Sequence, residues 1–127
     1  MAQFRYWNEN PQGEHHNDCV TRAITFASGL PYSKVRKKLY HTARLLDCVK
    51  LCPTCYGFAI QEVLGGVPIH CEGLSVGEFA DKHPIGIYLI RIKGHLTTLQ
   101  DGVCYDLWNC LDRECDLAWQ MHKTTTE

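Results

Sequence analysis

Cys19 stands in the run Asn17-Asp18-Cys19-Val20-Thr21-Arg22-Ala23-Ile24, where an Asx-rich stretch gives way to a helical pattern. Cys19, Ala23, Phe26, Ala27 and Leu30 recur at helical spacing before Gly29-Leu30-Pro31 ends the run. The spacing predicts a helix that starts at the cysteine, with Asn17 or Asp18 as its N-cap. A thiol there faces unpaired backbone N–H groups and the positive end of the helix dipole, and both favour thiolate over thiol. That is the chemistry of a nucleophile, although a helical cysteine can equally be a packed apolar residue. A carboxylate beside the thiol opposes ionisation unless it is spent on capping, and capping is the role expected of Asp18.

A base for such a nucleophile is found much later in the chain. The stretch from Gly86 to Asn109 reads as three strands, with Lys93-Gly94 and Asp101-Gly102 as two-residue turns that need the positive φ these pairs supply. If Asp101-Gly102 is the loop, Gln100 pairs with Val103, Thr97 stands opposite Asp106, and His95 opposite Trp108. Side chains alternate along a strand, so His95 and Asp106 share one face as diagonal neighbours, while Asn109 points to the other. Asp106 is therefore the residue placed to orient the His95 imidazole. A cysteine, a histidine base and an acid that holds the histidine tautomer are the parts an acyl-transfer site requires. His15 and His16 precede the cysteine in a polar loop, and His16 is the rival base, less well preorganised than a histidine on a strand. Trp108 could shield the histidine and Asp106 from water or simply pack.

The rest of the chain has to hold these groups in place. With 127 residues it makes one domain, residues 1–127, long enough to bury a core. A short strand over residues 4–7 leads into a polar loop with Pro11 and Gly13. A second helix is predicted over residues 33–46, with Ser33 as N-cap and Val35, Leu39, Ala43 and Leu46 on one face. Further helices are predicted over 56–64, stopped by Gly65-Gly66, and over 75–81, with added strands over 67–71 and 116–121. The expected class is α+β: a helical layer carrying the cysteine, packed on a small antiparallel sheet carrying His95 and Asp106.

Thirteen basic and fourteen acidic side chains leave a formal charge of −1, so no field for nucleic acid is visible. The basic knot Lys34, Arg36, Lys37 and Lys38 reads as the solvated face of a helix. No apolar run of signal or membrane-span length occurs, which leads to the expectation of a cytoplasmic protein without a membrane partner. Eight cysteines lie below the density of small disulfide scaffolds and are read as thiols or ligands.

The spacing Cys48-x3-Cys52-x2-Cys55 matches the cluster motif of radical enzymes that use S-adenosylmethionine, but those need a far longer barrel. A structural zinc on Cys48, Cys52, Cys55 and Cys71 is the more credible cofactor, with His70 or His41 as other fourth ligands, and catalysis itself requires none. Cys104 shares the face of Asp106 and is expected to pack inward; Cys110 and Cys115 have no ligand spacing.

In order and motif, the chain resembles the papain-like cysteine peptidase superfamily, in particular a compact branch related to bacteriocin-processing peptidases and small bacterial and phage proteins. The resemblance is carried by Asn17-Asp18-Cys19-Val20-x-Arg22-Ala23, Gly94-His95, Asp101-Gly102 and Tyr105-Asp106-x-Trp108, and the middle of the chain has no counterpart. It implies a papain-like fold in which Cys19 attacks a carbonyl, His95 is its base and Asp106 the orienter. Such enzymes place a glutamine a few residues before the cysteine in the oxyanion hole, a part that Gln12 or Asn17 would take beside the backbone N–H of Cys19. The function implied is a peptidase or isopeptidase acting on a peptide or protein through a thioester. The alternative is a non-catalytic protein-binding module, for instance a phage-encoded inhibitor of a host system, on a papain-like, zinc-stabilised scaffold.

Overall fold

A computed structural model describes residues 1–13, 18–48 and 52–123. The elements run β1 (Gln3–Tyr6), α1 (Cys19–Ser28), α2 (Tyr32–Leu45), α3 (Pro53–Phe58), β2 (Val67–Ile69), α4 (Val76–Lys82), β3 (Ile87–Ile92), β4 (His95–Gln100), β5 (Val103–Asp106) and β6 (Leu117–Met121). A π-helical turn, Ala59–Val63, extends α3 toward β2. The strands form one sheet in the order β1-β5-β4-β3-β6-β2, and the fold is mixed α+β, as the sequence pattern predicts.

Two turns set the register of the sheet centre. Asp101 and Gly102 both take positive φ, 50° and 79°, the condition for a tight turn whose twist matches the strands it joins. Gln100 then pairs with Val103 and Leu99 with Cys104, while Ile92 pairs with His95 across the Lys93-Gly94 turn. The expected three-strand meander is present with its expected register. One pairing departs from an all-antiparallel sheet: β1 lies parallel to β5, Phe4 beside Cys104 and Tyr6 beside Asp106. Local periodicity carries no information about such a distant partner. The pairing matters for the site, because Trp7 N–H donates to the carbonyl of Asp106 at 2.9 Å and fixes the end of β5.

Each face of the sheet is covered. On one face Leu89, Leu96, Trp119 and Met121 pack with Ala23, Ile24 and Ala27 of α1, Val35 and Leu39 of α2, and Tyr56, Ala59 and Ile60. The small Ala23 and Ala27 let α1 approach β4 closely, which brings the first turn of the helix over the strand ends. On the other face Tyr88, Ile90, Ile92, Leu99 and Cys104 pack with Val76, Phe79 and Ala80 of α4 and with Cys71, Cys110 and Cys115.

Helix boundaries follow local chemistry, with some shifts from expectation. α1 ends where Gly29 takes φ 75° and returns its N–H to Thr25. α2 begins at Tyr32 after Pro31, and Ser33 makes no cap bond. Its buried stripe is Val35, Leu39 and Thr42, so Ala43 and Leu46 lie only at the margin, and the Lys34, Arg36 and Lys37 side is exposed. Pro53 opens α3 in the first turn, where its missing N–H costs nothing. α4 carries a reciprocal cap between Ser75 and Glu78. Among the described residues no helix is long and apolar enough to cross a membrane.

Candidate active site

Cys19 is the first residue of α1 and is half-buried. Asp18 precedes it with φ −126° and ψ 29° and makes no side-chain cap bond, which corrects the capping role expected of it. Its oxygens are taken elsewhere: one accepts from Arg22 Nε at 2.6 Å, the other from the Tyr32 hydroxyl at 2.6 Å and Asn10 Nδ2 at 3.1 Å. The reason is burial, since Arg22 is 8% exposed and a desolvated guanidinium needs a carboxylate more than a helix end needs a cap. Burial works against ionisation of Asp18, but these bonds from Tyr32, Arg22 and Asn10 outweigh it and hold the carboxyl below its ordinary range. The same partnership, added to burial, pushes the Tyr32 phenol up to about 12.

His95 opens β4 and Asp106 closes β5, so both stand at the strand ends where α1 arrives. His95 Nε2 lies 2.7 Å from Asp106 Oδ2. The Cys19 thiol shares a cleft with Leu96 and Asp106 and is under the influence of the His95 ring and of the Leu96 N–H. Burial raises the thiol's pKa, yet the His95 bond, the Leu96 N–H and the charges of His95 and Arg22 together bring it below the ordinary thiol value. Burial likewise opposes charge on His95, but its bonds to Asp106 and Cys19 lift it to about 9. Both shifts favour a thiolate–imidazolium pair.

Asp106 is 4% exposed and is the hub of this arrangement. Besides His95, it accepts from Arg22 Nη1 at 3.3 Å, the Leu107 N–H at 2.7 Å and the Cys110 thiol at 3.7 Å. These contacts keep it ionised against its burial. A continuous polar chain thus runs from Tyr32 and Asn10 through Asp18, Arg22 and Asp106 to His95 and Cys19. Trp108 lies against the histidine, ring centroids 4.9 Å apart, with the Arg113 guanidinium over its ring at 5.2 Å, and is 39% exposed. Asn109 is turned away and accepts from the Leu111 N–H at 2.9 Å. A cleft of about 10 Å³, room for about one water molecule, is lined by Cys19 together with Trp7, Arg22, Phe26, Leu96 and Asp106.

Other predicted residues are placed differently. Gln12 is exposed and lines a separate depression with Tyr32, Lys34, Arg36 and Tyr40. Asn17, His15 and His16 lie outside the described residues. Cys48 and Cys55 are joined as a disulfide, which corrects the reading of all eight cysteines as thiols or ligands, and Cys52 Sγ stands 3.6 Å from Cys55 Sγ. These three sulfurs lie within 4.8 Å of one another and could hold a metal ion once reduced. Cys71 does not join them: it is buried under the opposite face of the sheet, in one cluster with Cys115. His41 and His70 are not part of that group either. His95, Asp106 and Cys110 also offer three ligand atoms within 4.8 Å, but the Arg22 guanidinium on the same carboxylate opposes a cation there.

The residues that sequence reasoning missed are the ones that support the histidine and border the thiol. Arg22 was visible as an i,i+4 partner of Asp18, a spacing that pairs charges on one helix face. Tyr56 and Arg91 carried no local signal. Arg91 pairs directly with Leu96 across β3 and β4, forms an ion pair with Asp116, and acts electrostatically on the Tyr56 phenol. Comparison of the chain with protein-family models, with curated proteins and with solved structures found no match.

Proposed function

We propose that this chain is a cysteine-dependent acyl hydrolase of peptidase or isopeptidase type, built on a papain-like arrangement. The observation that carries the proposal is the His95 Nε2–Asp106 contact at 2.7 Å at the strand ends beside Cys19, whose thiol the His95 ring helps to hold below its ordinary pKa. With Nε2 held by Asp106, Nδ1 is the nitrogen left to take the thiol proton. The thiolate then attacks an amide carbon and the carbonyl oxygen becomes an oxyanion. His95 returns the proton to the leaving amine as the C–N bond breaks, which leaves a thioester on Cys19. Water, deprotonated by the same nitrogen, attacks the thioester and expels the thiolate. Asp106 stays ionised throughout and stabilises the imidazolium, as the acid of such a triad does. The backbone N–H of Cys19 would supply one donor of the oxyanion hole; Gln12, in its separate depression, does not supply the second. The substrate class is a peptide or protein and the setting cytoplasmic.

Reduction of the Cys48–Cys55 disulfide by a thiol reductant would free two thiols beside that of Cys52, a donor set that, deprotonated, would suit a structural zinc lacking its fourth ligand among the described residues. Disulfide and zinc are exclusive states of the same sulfurs, and metal analysis of the reduced protein separates them.

The experiment for the catalytic proposal is intact-mass analysis after incubation with peptide and isopeptide ester and amide libraries. An acyl adduct on Cys19 that hydroxylamine removes, absent in Cys19→Ala, is expected. Turnover that survives in Cys19→Ala would overturn the proposal.

A further inference from the structure

Three sulfurs lie together where α2 gives way to α3, and the triad uses none of them. Cys48 is anchored just past the end of α2, its N–H donating to the Ala43 carbonyl at 2.7 Å. Cys52 stands immediately before Pro53, and Cys55 lies in the first turn of α3. Cys48 and Cys55 are bonded to one another, while Cys52 is a free thiol. The free sulfur touches the bonded one: Cys52 Sγ is 3.6 Å from Cys55 Sγ, and all three sulfurs fall within 4.8 Å of one another. Their access to water differs, since Cys55 is fully buried whereas Cys48 and Cys52 are half-buried. A thiol from solution therefore meets Cys48 or Cys52 but not Cys55. The group placed to attack the Cys55 sulfur is its neighbour Cys52.

We infer that Cys48, Cys52 and Cys55 form a thiol–disulfide exchange site in which Cys52 is the attacking group. The Cys52 thiol gives its proton to solvent and its sulfur bonds to Cys55 Sγ. The Cys48–Cys55 bond breaks with its electron pair on Cys48, which takes up a proton. One disulfide and one thiol stand on each side, so no oxidant or reductant is consumed. Cys55 is the shared partner, and Cys48 and Cys52 alternate as the free thiol. The exchange moves the covalent link from one spanning seven residues, which ties the end of α2 to α3, to one spanning three at the start of α3. α3 and its π-helical turn carry Tyr56, Ala59 and Ile60 into the core shared with α1 and α2. The site thus decides whether two helices of that layer are fastened together.

Disulfide mapping of the unreduced protein tests this. The full chain is held in mildly alkaline buffer without reductant, and its free thiols are then trapped with N-ethylmaleimide in acidified denaturant, where exchange stops. Trypsin cuts after Arg44 and Lys50, so a labelled 45–50 peptide marks molecules in which Cys48 is free. The wild type should give that peptide together with a Cys52–Cys55 link, and label on Cys52 from the remaining molecules. Cys52→Ser should abolish the Cys48 label, and Cys48→Ser should close Cys52 onto Cys55 in air. Label confined to Cys52 in the wild type after prolonged incubation would overturn the proposal. So would a Cys48 label that persists in Cys52→Ser, or a Cys48 linked to a cysteine outside the three. The wild-type result decides by itself should either variant fail to fold.

Discussion

Cys19 and Cys115 are both withdrawn from water, yet their thiols are driven in opposite directions. Burial raises Cys115 to about 12, helped by the neighbouring Cys71 thiol and by Glu114 and Glu78. The same desolvation acts on Cys19 and is overcome by the His95 ring, the Leu96 N–H and the charge of Arg22. Desolvation alone thus makes an inert thiol; a buried thiol becomes reactive only when a donor and a cation are aimed at it. The difference lies in position, since Cys115 faces α4 and apolar neighbours while Cys19 stands where a helix start meets two strand ends.

The strongest way to break this contrast is to remove the base. His95→Ala should slow Cys19 alkylation at pH 6, because the thiolate fraction falls as the thiol's pKa returns toward its ordinary value, and leave the Cys115 rate where it was. Next in size, Asp106→Asn should lower turnover about a hundredfold through loss of the imidazole's orientation and of its countercharge, measurable as a fall in kcat with the lower limb of the pH profile moved. Arg22→Gln removes the cation shared by two buried carboxylates and should cost about 3 kcal/mol in urea unfolding. It should also raise the apparent pKa of His95, since Asp106 then gives its whole charge to the ring. Opening the Cys48–Cys55 disulfide should cost about 2 kcal/mol, the chain-entropy expectation for so short a loop, and should leave the mapping of Cys19 as the fastest thiol intact.

The ionisable groups also set a pH window for stability. The folded pKa of His95 is above its ordinary 6.5, so the stability its contacts add is complete below about pH 6.5 and is lost as pH rises through about 9. Asp18 and Asp106 are depressed below 3.8, so their contributions are complete above that pH and disappear as the solution is acidified further. Chemical denaturation across this range should give a plateau between the two flanks, and Asp106→Asn should flatten both.

Much of the site's geometry was legible in local sequence. The Asp101-Gly102 turn dictated the register, and the register alone placed His95 and Asp106 on one face. The Asx-to-helix transition and Gly29 marked both ends of α1. What was not legible depended on contacts between distant segments. The parallel seat of β1 beside β5, the diversion of Asp18 from capping to Arg22, and the approach of Tyr56 to Arg91 each join residues that no periodicity relates. The Cys48–Cys55 bond and the separation of Cys71 from that cluster follow from where α3 and the opposite sheet face lie, which spacing between cysteines does not encode.

The central claim is that Cys19 and His95 work as a pair, and a pH series of iodoacetamide alkylation with peptide mapping, on wild type and His95→Ala, reads that pair directly. The account predicts that Cys19 reacts well below the pH at which ordinary thiols ionise and that this advantage vanishes without His95. A Cys19 that reacts no faster than Cys52, or keeps its low-pH reactivity when His95 is gone, would contradict it.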